Sequence, residues 1–145
     1  MNRKVLLKLI ICDVALALLI LGYTFICPFG TGWSEDVYSS ETGMILYTFV
    51  YGQIVAPVTL VLLVTAFAWA TYRIASPCKR WQLVMTLNAL ICSVAGSGVF
   101  VLMLALSDGA PTFSIAFSKM AFWTGLMTIV LSFPLRILKR KGLVA

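Results

Sequence analysis

The chain has 145 residues, of which 61% are hydrophobic and only 11% charged, and its mean hydropathy is +1.02. A soluble domain of this composition would cover its outside with apolar side chains and precipitate, so lipid is the expected solvent. Eleven lysines and arginines against five acids give a formal charge of +6, but the basic residues flank apolar runs, where insertion energetics and anionic lipid account for them without nucleic acid.

Four apolar runs are each long enough to cross a bilayer core of about 30 Å. The first spans about residues 5–26 and follows Arg3 and Lys4. No small-residue cleavage site follows it and it exceeds a signal peptide's apolar region, so it is expected to stay as a span. Its conspicuous residue is Asp13, five residues beyond Lys8, a carboxylate below the headgroup level that needs a compensating partner. Lys8 is poorly placed for this, because five residues turn a helix by about 140° beyond a full turn.

The connection from Cys27 to Thr42 is polar, aromatic and acidic, with Trp33, Glu35, Asp36 and Glu41, and reads as an external loop suited to recognition. The second span is expected over residues 43–70, with Pro57 near its middle as a kink candidate and Gln53 among neighbours that could hydrogen-bond between helices. A polar stripe for a pore would need repeated polar residues on one face, and here Val, Leu and Ala interrupt it. The loop that follows carries Arg73, Lys79 and Arg80.

The third span, about residues 81–106, places Ala89, Ser93 and Ser97 at intervals of four, with Gly96 on an adjoining ridge. The fourth, about residues 113–138, starts after Pro111 and repeats the spacing with Ala121 and Gly125. Lipid tails gain nothing from separating helices, so small residues that let backbones approach mark the expected packing surfaces. Counting depth from the span ends brings Asn88 and Arg136 near Asp13, so an intramembrane polar cluster of Asp13, Asn88 and Arg136 is expected. Just past the fourth span come Lys139, Arg140 and Lys141.

Ten of the eleven basic residues fall on one side if both termini are cytoplasmic, and only Lys119 lies outward. This is the positive-inside pattern, and short loops force successive spans to be neighbours. The expected fold is therefore all-α: one integral membrane domain over residues 1–145, a four-transmembrane-helix up-down bundle with N-in/C-in orientation, and the short loops favour a bacterial inner membrane. Trp69, Tyr72 and Trp81 are read as anchors at the inner interface.

No histidine, no CxxC and no second membrane acid are present, so hydrolase, thiol-redox, paired-aspartate, zinc and haem chemistries lack their parts, and no cofactor or metal is expected. The function expected is non-catalytic: contacts with membrane lipids and with a protein partner or further copies of the chain. The basic residues Arg73, Lys79, Arg80, Lys139, Arg140 and Lys141 would meet the partner or anionic lipid. Size and topology alone suggest a subunit of a larger assembly, such as a phage-defence complex, or a toxin-immunity protein. The alternative is a small oligomeric transporter or channel subunit in which Asp13 is protonatable.

Overall fold

The computed structural model describes residues 2–26, 56–106 and 112–144. All of the regular secondary structure described is helical: α1 is Arg3–Ile26, α2 is Ala56–Ala75, α3 is Trp81–Leu106 and α4 is Thr112–Arg140. All four are long and apolar enough to cross a membrane. A backbone in hydrocarbon has no water to bond and must satisfy itself internally, which a continuous helix does. Much of the helix surface is apolar and open, including Ile11, Leu18, Leu62, Ile91, Val94 and Phe133, and lipid is its natural cover.

Two clusters of buried side chains hold the helices together. Leu16 and Ile20 of α1, Phe67 of α2, and Phe117 and Ala121 of α4 form the first, with Cys12, Leu63, Cys92 and Val99 packed against it. Ala68 and Tyr72 of α2 with Met85 of α3 form the second, flanked by Trp81, Leu131 and Leu135. α2 and α4 each pack on all three other helices, and the α3–α4 interface is the most extensive; α1 and α3 scarcely touch.

Small residues explain the α3–α4 interface. A methyl group on Gly96 would run into Ala121, and one on Gly125 would meet the Ser93 hydroxyl and the Ala89 carbonyl, so both glycines lie where the helices come closest. The Ser93 hydroxyl donates to the Phe122 carbonyl at 3.2 Å, adding a bond between helices. Contacts pair in opposite sense, Ala89 and Ser93 with Gly125 but Gly96 with Ala121, so these two helices run antiparallel.

Several hydroxyls are fully buried, namely Thr71, Thr124, Thr128 and Ser132. Three of them bond back into their own helix: Thr71 to the Phe67 carbonyl at 2.7 Å, Thr128 to that of Thr124 at 2.7 Å and Ser132 to that of Ile129 at 2.6 Å. Self-satisfied in this way, a short hydroxyl behaves as a small packing residue.

Two span expectations change. The second helix continues to Ala75, five residues past the expected end at residue 70, because Thr71, Tyr72 and Ala75 are buried against neighbours despite the fall in hydropathy there. Its expected first part, residues 43–55, lies outside the described residues, as does the turn preceding Pro57 in which a kink would form. The fourth helix continues to Arg140, two residues past the expected end at residue 138, with Pro134 inside it.

Candidate functional site

Asp13 projects from α1 toward α3, where the Asn88 side-chain amide donates to its Oδ1 at 2.8 Å. One turn further along the same face of α3, Cys92 lines the same cleft as Asp13. Asn88 is buried, whereas Asp13 is half-buried at the edge of a cleft. This cleft encloses about 290 Å³ where α1 and α3 fail to close on each other, with α4 behind. Ala17, Ile91, Ala95, Gly96 and Val99 are among its walls, so a carboxylate lies at the margin of an otherwise apolar space.

Arg136 does not join the cluster. It is exposed, and it lies eleven residues, about 16 Å of helix, beyond Gly125, which packs next to Asn88 at Ala89. Lys139, one turn further on, reaches the Ser76 carbonyl in the turn between α2 and α3, which places Arg136 near that end of the bundle. Depth counting failed because α4, at 29 residues, continues well past the level of Asn88.

The second constellation lies at that end. The Lys139 ammonium donates to the Ser76 carbonyl at 3.2 Å and stands 5.0 Å from the Trp81 ring centroid and 5.6 Å from that of Tyr72. The two rings meet edge to face, 5.2 Å apart at 87°. Tyr72 is thus fully buried and serves as half of a cation clamp, whereas Trp69 is about half exposed. Beyond Lys139 the chain turns at Gly142, whose φ of +71° suits glycine, and the Leu143 amide donates to the Leu138 carbonyl at 3.0 Å, capping α4. Val144 folds back onto the Tyr72 cluster.

The clamp changes the meaning of the six basic residues. Lys139 is committed to an internal contact, while Arg73, Lys79, Arg80, Arg140 and Lys141 are exposed. Because the clamp ties the α2–α3 turn to the end of α4, these five cations from two distant segments are held at one end of the bundle.

Of the expected packing residues, Ala89, Ser93, Gly96, Ala121 and Gly125 are buried between α3 and α4. Ser97 is half-buried and its hydroxyl bonds back to the Ser93 carbonyl at 2.9 Å. Trp33, Glu35, Asp36 and Glu41 lie outside the described residues. Among the described residues Cys12, Cys78 and Cys92 are free thiols, and no group of three or more metal-capable side chains gathers. Sequence reasoning missed the Lys139 clamp, for which no local spacing gives a sign. Compared with family models, curated proteins and solved structures, the chain matches none of them.

Proposed function

We propose that the chain is a non-catalytic subunit of a membrane assembly, which docks an acidic cytoplasmic protein on the basic end of its bundle. In this reading it is an up-down four-helix bundle of a bacterial inner membrane with both termini in the cytoplasm, as the bias of positive charge supports. The observation that carries the proposal is the clamp at Lys139, which gathers Arg73, Lys79, Arg80, Arg140 and Lys141 at one end. Five cations on separate flexible segments would chiefly attract lipid headgroups. Held together, they present a defined pattern that an acidic protein surface can match in register.

Size and topology are those of membrane subunits of phage-defence complexes and of toxin-immunity proteins, and between these a cytoplasmic docking face favours the former. A second reading, a subunit of an oligomeric transporter, draws on the carboxylate beside an open intramembrane cleft.

The test is affinity purification in mild detergent with native mass measurement, for the wild-type chain and for one in which these five residues are changed to glutamate. A stoichiometric cytoplasmic companion that is lost from the charge-reversed chain supports docking. A companion that stays bound after reversal overturns it. A homo-oligomer without companion favours the transporter reading.

A further inference from the structure

Among the described residues, which include all eleven lysines and arginines, no cation pairs with Asp13. Lys8 is exposed and well round the helix, and Arg136 is at the far end of α4. Asn88 supplies a hydrogen bond but no charge. A membrane carboxylate in this position calls for a positive group from outside the molecule.

Size and shape restrict what brings that group. The cleft is about 290 Å³ and, among the described residues, lies open along the seam between α1 and α3. It has room for a long side chain. Its rim is built for close approach by a backbone: Ala17 on one side, Ala95 on the other, and near it Gly98, on which an added methyl would meet nothing. Small residues of this kind are what membrane helices pack on.

We propose that this seam receives one transmembrane helix of a protein partner, whose single lysine or arginine enters the cleft and pairs with Asp13. The proposal rests on the reading of the chain as an assembly subunit, but not on its cytoplasmic docking face. The partner helix lies along Ala95 and Gly98 of α3. Its basic side chain runs past Ala17 with its stem against apolar walls and its charge on the carboxylate that Asn88 orients.

The experiment uses the full chain, donor-labelled and reconstituted in neutral phosphatidylcholine vesicles, with acceptor-labelled synthetic transmembrane helices of leucine and alanine. One helix carries a single central lysine and the other carries leucine there, and energy transfer reports association. The lysine helix should associate about tenfold more tightly than its neutral twin. Asp13→Asn should abolish the preference, and Ala95→Phe, which fills the mouth of the cleft and leaves the carboxylate intact, should weaken it. Equal association of both helices with a wild-type chain of intact helical circular dichroism, or a preference that survives Asp13→Asn, overturns the proposal. So does saturable, Asp13-dependent binding of benzyltrimethylammonium without a helix preference, which would make the cleft a small-cation site. No cytoplasmic protein is present in this assay, so failure of the basic-face docking leaves its outcome untouched.

Discussion

Asn88 holds Asp13 by a single short hydrogen bond, and the energetics of that pair are asymmetric. Removing the donor alone leaves a carboxylate facing apolar walls, whereas removing both polar groups leaves nothing unsatisfied. Asn88→Leu is therefore expected to destabilise the bundle by about 1–2 kcal/mol, the scale of hydrogen bonds between membrane helices. Adding Asp13→Leu should return most of that loss. Denaturant titration in detergent, followed by circular dichroism, checks both, and a double variant no more stable than Asn88→Leu would refute the assignment. An acid in an apolar run is visible in any sequence, and Asn88 is found by counting turns from the end of its helix. Arg136 was misplaced by the same count, because depth depends on where each helix lies relative to its neighbours, and α4 overruns.

The α3–α4 pair shows how far small residues determine an element's packing. Gly125 and Gly98 are both helical glycines, yet a methyl on Gly125 meets Ser93 and the Ala89 backbone while one on Gly98 meets nothing. Gly125→Ala should thus cost about 1–3 kcal/mol through overpacking. Gly98→Ala should be neutral or stabilise by up to about 1 kcal/mol, because alanine restricts the unfolded backbone and fits a helix better. Unfolding midpoints of the two variants should move apart, and a common shift would show that the close approach is absent. This interface was legible in the spacing of Ala89, Ser93, Ala121 and Gly125, since only small residues permit such contact in lipid. The end of α2 was not, because Thr71 and Tyr72 lower hydropathy at positions where burial and self-bonding hydroxyls make polarity harmless.

At the scale of the whole molecule, α2 and α4 each join the three other helices into one body, and Lys139 fixes the end of α4. The contact joins residues more than sixty positions apart, so no periodicity within a helix could disclose it. It also separates two roles that look identical in sequence: Lys139 is structural, while its neighbours Arg140 and Lys141 remain available to a partner. Lys139→Met keeps the stem and removes the charge, which eliminates the cation–ring attraction and the bond to Ser76 together. A cation over aromatic rings contributes about 0.5–2 kcal/mol, so local opening should become about two- to thirtyfold more frequent. Hydrogen exchange should accelerate at Cys78 and Trp81 in the turn and at Leu143 in the cap, whose amides bond at 2.8, 3.1 and 3.0 Å. Exchange around Asn88 should not change, since the clamp lies at the other end of α3's first turns. Lys139→Arg retains charge and donors and should restore most of the protection. If the turn accelerates but the cap does not, the two segments are not coupled through Lys139; the five exposed cations then form two separate basic strips, and a partner that requires them in register would lose its site.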